Sequence, residues 1–277
     1  MAGAEVDPES DPPDSTVFTR RPDSDPMSDP DRSYTAEHAR LYDALTATGD
    51  REDAPFYLDR ARETEGWVLE LACGTGRIYL DLLEAGIDAD GFDRSADALA
   101  VLRERAAERG IEPSVWQADM ADFAVDRAYD LAICPFNALQ HLLTVEDELA
   151  ALRSVHDALA PGGTFAFDVF VPGFDVICET YGEWETKTVE YRGREHEVRN
   201  RARIVDEVEQ QFAVEVEGFG PDGEEVFAVE HQLKMLPRRE VELLARLSPF
   251  EDWAVTGDFS GEPIEDGDSV QVWSLSK

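Results

Sequence analysis

The sequence predicts a doubly wound α/β fold with a mostly parallel sheet and an antiparallel β insertion after the fifth strand. From Trp67 to Val171, short apolar runs alternate with amphipathic segments of about 10 to 15 residues, which is typical of right-handed βαβ units. After Pro172 and Gly173 the hydrophobic period changes to two, as in antiparallel strands. The 277 residues suit one enlarged domain or a domain with an insertion.

Four segments follow from these patterns. Residues 1–33 are rich in Asp, Pro, Ser and Glu, with few apolar side chains to bury, so we predict a disordered acidic arm. Residues 34–173 form the predicted core with two N-terminal helices, and residues 174–236 form the antiparallel insertion, which can wall a substrate site. Residues 237–277 contribute a helix and a strand pair that complete the core.

Individual elements follow from periodicity and from capping residues. Ser95 is a candidate N-cap, Gly110 a candidate C-cap, and the Pro-Asp-Gly run at 221–223 a candidate hairpin turn. Helices are predicted over 34–46, 54–63, 77–85, 95–109, 145–159 and 238–247. Strands are predicted over 67–72, 87–92, 114–117, 129–134, 164–171, 186–190, 197–204, 211–217, 226–235, 252–256 and 269–275.

The charge balance is strongly acidic, with 25 Lys and Arg against 61 Asp and Glu and a net charge of −36. This balance disfavours nucleic acid and anionic membrane as partners. Molar salt would screen the self-repulsion, so we expect a halophilic source. No apolar run reaches about 18 residues and no leader is visible at the N-terminus, so we expect a cytoplasmic protein. Three cysteines without a C-x-x-C spacing indicate neither disulfides nor a metal site.

The strongest chemical signal is a glycine-rich turn between a predicted strand and a predicted helix, with the sequence ELACGTG at 70–76. Glycines at such a turn let a ligand approach the backbone closely. Asp93 ends the next strand 23 residues after Glu70, where an acid can accept the hydroxyls of a ribose. The pair therefore predicts a cofactor that contains a nucleoside.

Two residues distinguish this turn from a dinucleotide site. Tyr79 stands where the third glycine of the G-x-G-x-x-G pattern is expected, and Glu70 beside the turn would repel a phosphate. A carboxylate at this place can instead hold an ammonium group. The turn therefore favours a zwitterion joined to a nucleoside over a pyrophosphate.

The chain resembles the class I S-adenosylmethionine-dependent methyltransferases over residues 34–171. Four motifs occur in the order of that family: VLELACGTGR at 68–77, GFDRS at 91–95, ADM at 118–120 and LAPGG at 159–163. The resemblance implies a Rossmann-like sheet and S-adenosylmethionine as cofactor. It implies that the methionine moiety is contacted by Glu70, Ala72, Cys73, Gly74 and Gly76, the ribose by Asp93, and the adenine by Arg94, Asp119 and Met120. It also implies that Phe136 and Asn137 contact both cofactor and substrate, and that Tyr42 is a lid residue that contacts the cofactor.

The resemblance also limits the methyl acceptor. The CPFN sequence at 134–137 differs from the Asn/Asp-Pro-Pro-Tyr/Phe signature of enzymes that methylate bases or glutamine amides. The chain is more similar to small-molecule N-methyltransferases, including those that act on amino sugars, so we expect a small-molecule N or O acceptor. His141 is the candidate general base, with packing or cofactor contact as its other interpretation.

Several alternatives stay open at this level. The chain could instead methylate RNA or protein, or bind the cofactor as a regulator without turnover. Arg199, Arg201 and Arg203 favour cross-strand pairs with nearby acids over a clamp for an anionic substrate. The sequence does not predict the oligomeric state.

Overall fold

The computed structural model describes residues 39–41, 44 and 53–277. The predicted arm at 1–33 and the candidate lid residue Tyr42 lie outside the described residues. Residues 39–41 and 44 are helical, within the helix predicted over 34–46. No helix in the described part of the chain has the length and apolar character needed to cross a membrane.

Seven strands form the larger sheet, and its carboxyl edge positions the site. The strands are β1 (Val68–Leu71), β2 (Ala89–Asp93), β3 (Ser114–Gln117), β4 (Tyr129–Cys134), β5 (Leu159–Phe170), β10 (Asp252–Gly257) and β11 (Val270–Ser276). Their order is β10-β11-β5-β4-β1-β2-β3. β1 to β5 are parallel, and β11 runs antiparallel to both of its neighbours. The predicted doubly wound, mostly parallel sheet is confirmed.

Six α-helices and one short 3₁₀ helix, at Ala138–His141, accompany these strands within residues 53–277. Their caps explain two of the boundaries. The Ser95 side chain accepts a hydrogen bond from the backbone of Ala98, and Gly110 ends the same helix at φ 70°. The helices are α1 (Asp53–Glu63), α2 (Tyr79–Glu84), α3 (Ala96–Arg109), α4 (Val145–Ala158), α5 (Phe174–Thr180) and α6 (Arg238–Leu247).

Two predicted boundaries are wrong, and one helix was not predicted. The helix predicted over 77–85 begins only at Tyr79. The fifth strand begins at Leu159 rather than Thr164, because Leu159 pairs with Tyr129 before a register shift and the Pro-Gly-Gly run lies inside the strand. The helix α5 was missed because none of its residues is buried, so it has no apolar stripe to detect.

Apolar side chains pack on both faces of the large sheet. One face buries Phe165, Phe167 and Trp273 in a cluster with α4 and α6. The other buries Tyr79 and Leu99 with α1, α2 and α3. This two-sided burial accounts for the nearly continuous apolar strands seen in the sequence.

The insertion forms a separate four-stranded antiparallel sheet in the order β6-β7-β8-β9. Its strands are β6 (Glu185–Tyr191), β7 (Arg194–Asp206), β8 (Gln211–Phe219) and β9 (Glu225–Lys234). One face carries Val198, Val216 and Phe227, which pack with Leu41 from the N-terminal helical segment. The other face carries the charged residues expected from the period-two pattern.

Candidate functional site

The glycine-rich turn leaves β1 in a backbone conformation that favours glycine. Ala72, Gly74 and Gly76 all have positive φ values, of 50°, 55° and 87°. A Cβ atom at Gly76 would lie 2.8 Å from Cγ of Leu102, so the turn packs directly on α3. Cys73 is buried and donates its backbone N–H to the carbonyl of Phe92 at 3.0 Å, which joins the turn to β2.

Asp93 closes this turn from the neighbouring strand. Its carboxylate accepts the backbone N–H groups of Gly74 at 2.9 Å and Ser95 at 2.7 Å. Burial raises the pKa of Asp93, although both hydrogen bonds act in the opposite direction. The structure therefore brings together the two features that the sequence spacing links, and the carboxylate retains lone pairs that can accept hydroxyl donors.

Glu70 is the least satisfied acid of the site. Its side chain is only 3% exposed and its Oε2 atom has no hydrogen-bond partner. Burial raises its pKa to about 8, with Arg77 acting in the opposite direction. The Arg77 guanidinium itself forms a bidentate ion pair with the Asp53 carboxylate, with N···O distances of 3.0 and 2.5 Å. A buried carboxylate oxygen without a partner fits a cationic donor such as an ammonium group.

The loop after β4 forms the next part of the edge. Phe136 and Asn137 both adopt the left-handed conformation, at φ 65° and 58°. Their backbone N–H groups donate to Asp168 at 2.8 and 3.1 Å, and Tyr57 donates its hydroxyl to the same carboxylate at 2.7 Å. The Asn137 Oδ1 atom is buried and has no partner. Asp168 thus holds two strained residues in place.

Sequence reasoning missed Asp168, Tyr57 and Asp53. An acid in the middle of the apolar run TFAFDVF at 164–170 was a usable signal, because a charged side chain is rarely buried there without a partner. Nothing in the local sequence identified that partner.

The residues predicted to surround adenine lie at the ends of β2 and β3. Gln117 donates its side-chain amide to the carbonyl of Arg94 at 2.9 Å, which brings the two strand ends together. Asp119 is exposed and accepts the N–H of Ala121 at 2.9 Å in its own turn, while Met120 is 9% exposed and belongs to the core cluster. The Arg94 side chain is exposed.

His141 ends the 3₁₀ helix and reaches the four-stranded sheet. Its ring meets that of His231 from β9 edge to face, with centroids 5.7 Å apart and planes at 86°. The His141 side chain retains solvent exposure. The protein packed around the ring, together with the nearby His231 and Arg94, lowers the pKa of His141 to about 4. The imidazole is therefore neutral, and able to accept a proton, at physiological pH.

Three arginines of β7, at 199, 201 and 203, are paired with acids across the strands, as predicted. Arg199 contacts Glu217 at 2.5 Å, and Arg201 contacts Glu215 at the same distance. Arg203 contacts Glu215 and also Glu230 on β9. The cross-strand prediction is confirmed, and these guanidinium groups lie on the sheet face opposite His231.

Comparisons with known proteins agree with a cofactor site at this edge of the sheet. Residues 68–163 match the family described as "Methyltransferase domain". The structure superposes on an S-adenosylmethionine-dependent methyltransferase from Clostridium acetobutylicum with a TM-score of 0.70 and 18% identity, covering 87% of this chain and 97% of the other. Residues 68–163 therefore form a methyltransferase domain.

Two curated relatives of the chain are similar over longer segments. The cypemycin N-terminal methyltransferase of a Streptomyces species is 28% identical over 71% of this chain and 77% of the relative. The dTDP-3-amino-3,6-dideoxy-alpha-D-glucopyranose N,N-dimethyltransferase of Streptomyces fradiae is 26% identical over 52% and 60%. The chain spans about half to three-quarters of the length of the curated relatives it matches.

The residues at this edge of the sheet fit S-adenosylmethionine as a cofactor. The unpartnered Glu70 oxygen suits the ammonium group of the methionine moiety, and the Asp93 carboxylate suits the ribose hydroxyls. A Cβ atom at Gly74 would make only ordinary van der Waals contacts, at 3.9 Å from the Ala72 carbonyl oxygen and 4.0 Å from Asp93 Oδ2, so its φ of 55° rather than crowding is what favours glycine there. Among the described residues, no group of three or more His, Cys, Asp or Glu side chains is arranged to hold a metal ion.

Proposed function

We propose that this methyltransferase moves a methyl group from S-adenosylmethionine to the nitrogen of a small-molecule amine. The observation that carries the proposal is the unpartnered, buried carboxylate oxygen of Glu70 on the glycine-rich turn. It is accompanied by the partnerless Oδ1 of Asn137 and by an imidazole that is neutral at physiological pH. Names of relatives that include amino sugars and a peptide N-terminus support nitrogen as the acceptor atom.

Nitrogen also suits the polar atoms that line this edge. An amine keeps N–H donors while its lone pair attacks, whereas an alcohol has one O–H and loses it. The unpartnered Asn137 Oδ1 can accept such an N–H and so orient the lone pair. Alignment of this kind supplies most of the rate in a displacement reaction, up to about 7 to 11 kcal/mol.

The chemical step needs little covalent help from the protein. S-adenosylmethionine, once bound, would supply the methyl group on a sulfonium, a leaving group that would retain the electron pair of the C–S bond. Glu70 and Asp93 fix the donor, the loop at Phe136 and Asn137 positions the acceptor, and the new N–C bond forms from the amine lone pair. His141 then accepts the proton that the methylated nitrogen loses and releases it to water.

The test is methyl transfer from labelled S-adenosylmethionine into a metabolite extract, followed by mass spectrometry of the products. We expect His141→Asn to lower turnover about tenfold or more at pH 7.5 while the cofactor Kd changes less than twofold. His196→Asn is the matched control, because His196 belongs to the insertion and its ring contacts Tyr191 rather than His231. Full activity of His141→Asn at neutral pH would remove His141 from this role.

A peptide amine is the second candidate acceptor. It is favoured by the similarity to the cypemycin N-terminal methyltransferase, which extends over most of both chains. Short peptides with free and acetylated N-termini, assayed beside free and nucleotide-linked amino sugars, separate the two. Preferential methylation of the free peptide would replace the small-molecule proposal.

Two other functions have their own discriminating assays. An RNA methyltransferase would retain bulk tRNA at molar KCl without cofactor. A regulator without turnover would bind the cofactor with measurable affinity and yield no labelled product from any extract.

We also propose that the protein works in a salt-rich cytoplasm. The net charge of −36 supports this setting, because self-repulsion of that size is weakened when the Debye length falls to about 3 Å at molar salt.

A further inference from the structure

The contact between His141 and His231 joins the two sheets beside the site. His141 belongs to the 3₁₀ helix that follows β4, whereas His231 lies on β9, where it pairs with Val214 of β8. A second contact fixes the same junction, since Gln140 donates its side-chain amide to the carbonyl of Lys234 at 2.8 Å. Gln140 is fully buried, so the backbone around His141 is held firmly against β9.

The charges around this junction come from several elements. Burial lowers the pKa of both histidines, and Arg94, which follows β2, acts in the same direction. The Asp168 carboxylate on β5 already accepts hydrogen bonds from the Tyr57 hydroxyl and from the backbone N–H groups of Phe136 and Asn137. Lys234 is paired with Glu148 on α4 and Glu240 on α6, at 3.3 and 2.6 Å. Among the residues that the structure describes, the charged groups that act on the His141 ring are His231 and Arg94.

We propose that His231 is a positioning residue for methyl transfer: it fixes the plane of the His141 ring and, when charged itself, opposes protonation of that ring. The edge-to-face contact supplies the first effect, because aromatic rings have a preferred geometry in such pairs. The second effect is electrostatic, because a positive charge on His231 opposes a second one close to it. This inference rests on the proposed role of His141 as proton acceptor.

Two substitutions separate these effects. His231→Phe retains an aromatic ring and removes the titrating group, whereas His231→Gln removes the ring. We expect the midpoint of the His141 titration, followed by NMR of its ring C–H, to rise by about half to one pH unit in His231→Phe. His196→Phe is the matched control on the same sheet, and it should leave that midpoint unchanged.

Methyl transfer supplies the second readout. The acidic limb of kcat/KM should move to higher pH in His231→Phe by the same interval, with kcat at pH 8.5 within twofold of the wild type. In His231→Gln, kcat should fall several-fold at pH 8.5 as well, because the ring plane is no longer fixed.

The outcomes distinguish this inference from the proposed function. An unchanged NMR midpoint in His231→Phe would overturn the inference whether or not the enzyme is active. A shifted midpoint with an unmoved acidic limb would also overturn it, because the limb would then report the amine of the acceptor. Absence of methyl transfer in the wild type would instead reject the proposed function, and the NMR measurement would still report the contact.

Discussion

The two sheets of this protein are stabilised in different ways. The strands β1, β2 and β4 are almost entirely buried, with apolar side chains packed on both faces. In the insertion sheet only Val189, Val198, Val216 and Phe227 join Leu41 in a buried cluster, and the other face is held by Arg–Glu pairs. The large sheet is therefore stabilised by close apolar packing on both faces, whereas the small sheet is stabilised partly by ion pairs.

This difference in stabilisation corresponds to a difference in how far each region tolerates substitution. The turn that fits the cofactor requires backbone geometry that only close packing can maintain. The insertion contributes His231 from a half-buried strand, and surface ion pairs tolerate substitution with little loss of stability. We infer that the glycine-rich turn is held rigidly by its packing, whereas the insertion sheet tolerates substitution.

The largest expected effect is on packing at the turn. Gly76→Ala should destabilise the protein by about 2 to 4 kcal/mol, because the new Cβ meets Leu102 at 2.8 Å and φ is 87°. Gly223→Ala in the insertion hairpin has a similar positive φ of 80° but open space, so it should cost only about 1 kcal/mol. Urea unfolding of both variants measures the contrast, and equal losses would mean that packing is not what distinguishes the two regions.

The next effect concerns cofactor affinity. Glu70→Gln should weaken S-adenosylmethionine binding about tenfold to a hundredfold, since a charged hydrogen-bond partner is lost. Isothermal titration calorimetry measures this loss. Glu217→Gln, which breaks the pair with Arg199 in the insertion, should leave the Kd within twofold.

The Glu70→Gln variant also tests how the stability of the glycine-rich turn region depends on pH. The pKa of Glu70 is about 8 in the folded protein and near 4.3 when unfolded, so between these values only the unfolded state has lost the proton. Without cofactor, this residue therefore lowers stability as the pH rises from about 5 to 8. The Tm of Glu70→Gln should fall less over that interval, and parallel melting curves would show that Glu70 is already ionised in the fold.

The smallest effect concerns the ion pairs of the insertion. Glu215→Gln removes the partner of Arg201 and Arg203 and should cost about 1 kcal/mol or less at low salt. The deficit should shrink in molar KCl, while the Tm of the wild type rises as its net charge is screened. A wild-type Tm that does not change with KCl would contradict the halophilic interpretation.

The sequence by itself determined the order of elements and the position of the turn. Periodicity placed β3 and β4 at their observed bounds, and Ser95 and Gly110 cap α3 as their chemistry requires. Tyr79 explains why the third glycine is missing, since its ring fills the space beside Gly91, where an added Cβ would lie 3.2 Å from it. These features are local, because a few neighbouring residues specify each of them.

Only the tertiary structure decided which distant side chains meet. Asp168 holds the loop at Phe136 and Asn137, and His231 faces His141, although 32 and 90 residues separate the members of these pairs. The early start of β5 at Leu159 likewise depends on its pairing with Tyr129. Periodicity reports whether a side chain faces a core, but the identity of its partner depends on strand order and register, which arise from packing across the whole domain.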